Sequence, residues 1–96
     1  MLAQPDGQTP QELAARIRAA SDLMGGRETL TVEGTVLVGR PRQIARAALR
    51  HEIPLRAVSL QARNQGRPEM AAWLRACARL ARSPQGRAAL TAVLTD

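Results

Sequence analysis

Arginine is the side chain that this sequence offers most abundantly for binding chemistry, and its placement is uneven. The 96 residues include 14 Arg and no Lys against 8 acidic residues, which gives a net charge of +6. Residues 40–82 hold ten Arg and only Glu52 and Glu69, so this segment carries +8, whereas residues 1–39 carry −2. Such a concentration of positive charge is typical of proteins that bind polyanions, above all nucleic acid.

Part of this charge recurs at helical spacing. Arg42, Arg46 and Arg50 are four residues apart, so in a helix they form a row that covers about 12 Å of the axis. No acidic residue lies three or four positions from any of them to neutralise the row within its own helix. We predict that this row, together with Arg40 and Arg67, contacts DNA phosphates.

The next helical segment carries side chains that can hydrogen-bond to base edges. Arg pairs with the O6 and N7 atoms of guanine, and Asn or Gln pairs with the N6 and N7 atoms of adenine. Arg56, Gln61, Arg63 and Asn64 project on its outer side and are the predicted base contacts. Leu60 lies on the same side, where it suits either a thymine methyl group or a protein interface.

Residue sets for catalysis or metal binding are poorly represented. The single His51 and the single Cys77 are 26 positions apart, which does not match a zinc site of the usual spacing, and one cysteine cannot form an internal disulfide. There is no P-loop or GxGxxG loop, and no spacing favours a Ser/His/Asp set. We predict a protein without enzymatic activity, cofactor or metal, in which His51 and Cys77 both pack in the core.

Caps, prolines and glycines define the elements that must position these side chains. Five helices are predicted, over residues 10–24, 41–51, 54–64, 68–82 and 84–94. Thr9 and Glu12 form a capping box at the start of the first helix, whose predicted apolar face is Leu13, Ile17, Ala20 and Met24. The predicted fold is mainly α, with a flexible N-terminus over residues 1–8 and a single compact domain over residues 9–96.

One segment changes to the alternating period of a β-strand. Between residues 29 and 38, β-branched and apolar residues alternate with Thr around Glu33-Gly34. This pattern predicts a β-hairpin after the first helix, with Gly34 in the left-handed position of a bulged turn. Leu37 falls on the face opposite Val36 and Val38, so both faces of the hairpin are partly apolar.

Residues 41–64 resemble a helix-turn-helix unit. The resemblance is carried by the apolar pair Ile44-Ala45 in the first helix and by the stretch Ile53-Pro54-Leu55-Arg56-Ala57-Val58 across the turn and into the second. It implies that the second helix enters the DNA major groove while the first crosses the phosphate backbone.

The sequence therefore predicts a sequence-specific or architectural protein that binds double-stranded DNA, either a small regulator or a mobile-element accessory factor. The apolar core is thin, with Trp73 as the only aromatic residue, so we expect a homodimer. With no apolar run near the ~18–20 residues of a membrane span and no signal peptide, the expected location is the cytoplasm. The alternative is a protein-interaction module, such as an adaptor, inhibitor or antitoxin-like partner, that docks its Arg-rich face on an acidic protein.

Overall fold

The predicted order of elements is confirmed. The computed structural model describes residues 9–95, so the prediction for residues 1–8 lies outside the described residues. The elements are α1 (Pro10–Met24), β1 (Glu28–Val32), β2 (Thr35–Gly39), α2 (Pro41–Arg50), α3 (Leu55–Asn64), α4 (Pro68–Leu80) and α5 (Pro84–Thr95). The chain is mainly helical, with an antiparallel two-stranded hairpin after the first helix.

Helix α1 begins at the predicted capping box. Thr9 Oγ1 accepts the Glu12 backbone N–H at 3.1 Å, and the Thr9 N–H donates to Glu12 Oε1 at 2.8 Å. The predicted inner face is partly wrong, because Ala20 is exposed, whereas the buried residues of α1 are Ala14, Ile17 and Ser21. Contacts with both α4 and α5 turn the buried face of α1 away from the stripe seen in the sequence.

The hairpin turn is tighter than predicted. Val32 pairs with Thr35, so only Glu33 and Gly34 connect the strands. Both have positive φ, 51° and 83°. A two-residue turn with positive φ at both positions matches the twist of the strands, which is why it replaces the predicted bulged turn.

The hairpin covers the core with one face. Leu30, Val32 and Leu37 are buried, and Leu30 pairs directly with Leu37 across the strands. Val36 and Val38 face outward, as the alternation of strand side chains requires. Strand β1 packs on α3 and β2 packs on α2, so the hairpin is held against the two helices of the predicted helix-turn-helix unit.

The turn between α2 and α3 is built on a glutamate in a left-handed conformation. Glu52 has φ of 59° and its N–H bonds to the Leu49 carbonyl at 3.1 Å, while the Ile53 N–H bonds to the Ala48 carbonyl at 2.8 Å. These two bonds form a Schellman motif, in which glycine usually occupies the left-handed position. Ile53 is buried, so the motif also closes the apolar core at this end of α2.

This turn also explains two wrong predictions. His51 is exposed, because α2 ends at Arg50 and the helical projection that placed His51 in the core no longer applies. Helix α3 begins at Leu55, so Pro54 is its N-cap residue and not its first residue.

The buried apolar residues form one cluster to which all five helices and the hairpin contribute. Trp73 and Cys77 are buried on α4, as predicted, and the Trp73 indole N–H donates to the Ile17 carbonyl at 2.8 Å. Helix α5 lies very close to the end of α4. A Cβ placed on Gly86 would be only 1.8 Å from the Leu80 carbonyl oxygen. Within residues 9–95, no helix has the length and apolar character to cross a bilayer.

Candidate nucleic-acid interface

Helices α3 and α4 enclose an open groove that is lined mainly by arginine. Residues 65–67 join the two helices, which pack along each other. The groove has a volume of about 300 Å³, and its charged lining consists of Arg56, Arg63, Arg75, Arg79 and Arg82. We call this surface the arginine groove.

Helical geometry aligns these side chains. Arg56 and Arg63 are seven residues apart on α3, which is close to two full turns and about 10.5 Å of rise. Arg75 and Arg82 have the same spacing, with Arg79 between them, although α4 itself ends at Leu80. Each side of the groove therefore carries its own row of guanidinium groups.

The floor of the groove holds the helices together. Ser59 is buried, and its hydroxyl donates to the Ala71 carbonyl at 2.6 Å, which links α3 to α4. The small Ala78 lines the groove from α4, and Leu60, 53% exposed, lines it from α3. Because the Ser59 hydroxyl hydrogen is already used, the donors that a ligand meets are the guanidinium groups.

No acidic side chain of residues 9–95 neutralises the arginine groove. None of its five guanidinium groups forms an ion pair with a carboxylate in this part of the chain. Each guanidinium presents donors in a planar fork that matches two phosphate or carboxylate oxygens. Five like charges around one groove create a positive potential that attracts a polyanion.

Two of the predicted phosphate contacts are instead used within the molecule. Arg42 Nη2 donates to Asp22 Oδ1 at 2.9 Å, and Arg42 Nη1 is buried. Arg67 forms an ion pair with Glu28. Both partners belong to the acidic N-terminal part of the chain, so each of these two arginines already pairs with a carboxylate, although the Arg67 side chain stays 45% exposed.

The other predicted phosphate contacts remain exposed but lie outside the arginine groove. Arg46 and Arg50 are exposed on α2, and Arg40 is exposed immediately before it. Like the groove residues, they form no ion pair with a carboxylate of the described chain. Arg50 lies beside the turn between α2 and α3, whereas Arg40 lies at the opposite end of α2.

The predicted base contacts are divided between two sides of α3. Arg56 and Arg63 line the arginine groove, whereas Gln61 is half-buried and lies toward the hairpin. Gln65 links Gln61 to the hairpin, because its Nε2 donates to the Thr31 carbonyl at 3.2 Å and to Gln61 Oε1 at 3.5 Å. Asn64 is exposed but does not line the groove.

Arg75, Arg79 and Arg82 are not among the contacts predicted from the sequence. Their spacing of four and three residues indicates a row: Arg75 and Arg79 are exposed on α4, and Arg82 follows directly after the helix ends. A short connection makes α3 and α4 packed neighbours, which brings this row beside the row of α3.

The remaining reactive side chains do not form a site. Burial raises the pKa of the Cys77 thiol from 9.0 to about 12, so the thiol stays protonated and unreactive at neutral pH. Within residues 9–95, no three His, Cys, Asp or Glu side chains form a cluster that could hold a metal ion.

Comparison with known proteins adds no family to this description. No protein-family model matches the chain, and neither a curated protein nor a solved structure matches it. What the protein binds must therefore be inferred from the chemistry of its own surface.

Proposed function

We propose that this protein binds double-stranded DNA through the arginine groove and acts by occupying a site, without catalysis. The observation that carries the proposal is the convergence of five guanidinium groups on one groove in which the described chain places no carboxylate. Duplex DNA offers regularly spaced phosphates, and binding releases the counterions condensed around them.

The helix-turn-helix resemblance assigns a role to the α3 side of the groove. Helix α3 follows the turn and is the helix that enters the major groove, so Arg56 and Arg63 are placed to meet guanine edges. The three arginines on the α4 side then face the flanking phosphates. The hairpin is not a DNA-contacting wing in this proposal, because its tip carries Glu33, whose charge repels phosphate.

The proposed setting is a reducing cytoplasm, where the protein serves as a small regulator or a mobile-element accessory factor. A single buried free thiol is compatible with that compartment, because the fold relies on no disulfide. Arg40, Arg46 and Arg50 supply additional phosphate contacts along α2.

The proposal is tested by measuring duplex affinity as a function of salt. Six arginines are assigned to phosphates, namely Arg40, Arg46, Arg50, Arg75, Arg79 and Arg82, so the logarithm of the binding constant falls with the logarithm of salt concentration with a slope of about −5.4. Affinity for a random duplex is then expected to drop roughly 1,800-fold between about 50 and 200 mM salt.

Single arginine variants locate the contact. Arg79→Ala is expected to make the salt slope shallower by about 0.9. Arg27→Ala is the matched control, because it removes the same charge from an exposed position outside the groove. Absence of duplex binding at about 50 mM salt, or equal effects of the two variants, contradicts the proposal.

A second candidate function is the docking of an acidic protein on the same groove. It is favoured by Leu60, an exposed apolar side chain on the groove wall between Arg56 and Arg63. An acidic protein surface with an apolar residue at its centre covers Leu60 and neutralises the arginines at the same time. A protein that retains no duplex DNA at low salt supports this second function over the first.

A further inference from the structure

A second groove, between α1 and α4, is lined mainly by apolar residues. It has a volume of about 600 Å³, and Leu13, Ala20, Leu23 and Met24 line it from α1. Ala72 and Ala76 line it from α4. We call this surface the α1–α4 groove. Its most exposed apolar residue is Leu23, with 89% of its surface accessible.

This groove contains apolar side chains that the core leaves uncovered. The sequence places Leu13, Ile17, Ala20 and Met24 on one helical stripe, yet only Ile17 of these four is fully buried. Helix α1 thus has an apolar stripe that is wider than its contact with the rest of the chain. Contact with another molecule would remove these apolar side chains from water.

The charges at the groove identify the partner. Three charged residues line the α1–α4 groove, Arg16 from α1 and Glu69 and Arg79 from α4. None of the three forms an ion pair within residues 9–95. A surface that carries both signs of charge can be complementary to itself, because a two-fold axis that passes between Arg16 and Glu69 brings each against its opposite in the other copy.

We propose that the α1–α4 groove binds a second copy of this chain in a two-fold dimer. Leu23 of each copy packs into the groove of the other, where the short side chains of Ala72 and Ala76 leave room for it. Arg16 of one copy pairs with Glu69 of the other, and the same pair forms again across the axis. The reciprocal pairing of Arg16 with Glu69 favours a second copy over an unrelated protein.

The dimer extends the proposed DNA-binding surface but does not depend on it. Arg79 lines both grooves, so the arginine groove of each protomer adjoins the dimer contact. Two protomers therefore present two arginine grooves to one duplex. Dimerisation is measured without DNA, and duplex binding can be measured on a monomeric variant, so failure of either proposal is distinguishable from failure of the other.

The test is sedimentation equilibrium of the full chain and of two exposed-leucine variants. The wild type is expected to have twice the chain mass of 10.3 kDa, with a dissociation constant below about 100 μM. Leu23→Glu is expected to raise this constant about tenfold or more, because it places a charge in the apolar contact. Leu60→Glu, at an exposed leucine of the arginine groove, is the control and leaves the dimer intact.

Charge exchange tests the reciprocal ion pairs. Arg16→Glu or Glu69→Arg alone is expected to weaken the dimer by about threefold to thirtyfold, since either change removes both symmetry-related pairs. The double variant restores them with reversed polarity and recovers most of the wild-type affinity. Circular dichroism checks that all variants remain folded.

Three results overturn the proposal. They are a wild-type protein that stays monomeric at about 1 mM, a Leu23→Glu variant that dimerises as the wild type does, and a double charge variant no better than either single one.

Discussion

Replacement of Gly86 by Ala gives the sharpest test of the packing that holds the arginine groove in place. Gly86 lies in the first turn of α5, where its N–H donates to Ser83 Oγ at 2.9 Å. A Cβ at this position would lie 1.8 Å from the carbonyl oxygen of Leu80 and 2.9 Å from the carbonyl carbon. Arg82 is in the connection between these helices, so any movement here also displaces one wall of the groove.

Two effects of opposite sign compete in this variant. Helix propensity alone favours Ala over Gly by about 1 kcal/mol. The new Cβ, however, forces the two backbone segments apart by about 1.5 Å, at a cost of about 3 kcal/mol or more, since neither side is a flexible side chain. We therefore expect a net destabilisation of about 2 kcal/mol or more.

Thermal and urea unfolding followed by circular dichroism measure this difference. A loss of about 2 kcal/mol lowers the Tm of a domain of this size by about 8–16 °C. Ala88→Gly is the control in the same helix, because Ala88 is exposed and its replacement changes propensity alone, by about 1 kcal/mol. The salt slope of duplex binding by folded Gly86→Ala reports whether the groove has changed.

The sign of the change in stability caused by Gly86→Ala decides whether α5 really lies this close to Leu80. If Gly86→Ala stabilises the protein by the amount that propensity predicts, the close approach of α5 to Leu80 is wrong. An unchanged Tm leads to the same conclusion, because the clash would then cost no more than the roughly 1 kcal/mol that helix propensity contributes.

Three further predictions concern the turn, the buried thiol and the base contacts. Glu52→Gly is expected to raise the free energy of unfolding in urea by about 0.5–1 kcal/mol. Gly adopts the left-handed conformation at φ of 59° without steric strain, and this gain exceeds its cost in chain entropy. An unchanged or lower urea midpoint contradicts this prediction. Stability is expected to fall as pH rises from 9.0 toward about 12, since the unfolded Cys77 thiol ionises before the buried one. No Lys or Tyr titrates in that range, so Cys77→Ala must flatten the pH dependence of the unfolding midpoint. In duplex-binding assays, Arg56→Ala or Arg63→Ala is expected to reduce sequence discrimination by about 1–3 kcal/mol, whereas Arg46→Ala weakens specific and random duplexes alike. Identical behaviour of all three excludes α3 as the reading helix.

The helices and the hairpin could be predicted because their ends are determined by neighbouring residues. The Thr9–Glu12 capping box and the prolines at positions 41, 68 and 84 each begin a helix where the sequence placed its start. Pro has no N–H to leave unpaired in a first turn, so its position is informative without knowledge of the rest of the fold.

The wrong predictions arose where one element constrains another. His51 was projected as if α2 continued, but Glu52 adopts a conformation that the sequence does not reveal, since glutamate rarely takes it. Ala20 was placed inside because periodicity fixes which residues share a face and does not fix which neighbour covers that face. Contacts with α4 and α5 decide that question.

The site could be predicted only in part for the same reason. Arg42 and Arg67 find Asp22 and Glu28 at separations of 20 and 39 residues, which no inspection of helical neighbours detects. Conversely, the row on α4 gains its significance only when it lies beside the row on α3. Residue type indicated what could be bound, and packing determined which arginines remain available to bind it.

The hydrogen bond of Trp73 has a practical consequence. This indole is the only aromatic side chain in the 96 residues, and it joins α1 to α4 by donating to the Ile17 carbonyl. It also borders the α1–α4 groove. The protein therefore carries one intrinsic fluorophore, with no tyrosine background, at the seam between these two helices. Its emission reports, without any label, whether α1 has separated from α4 and whether water has reached the surface between them.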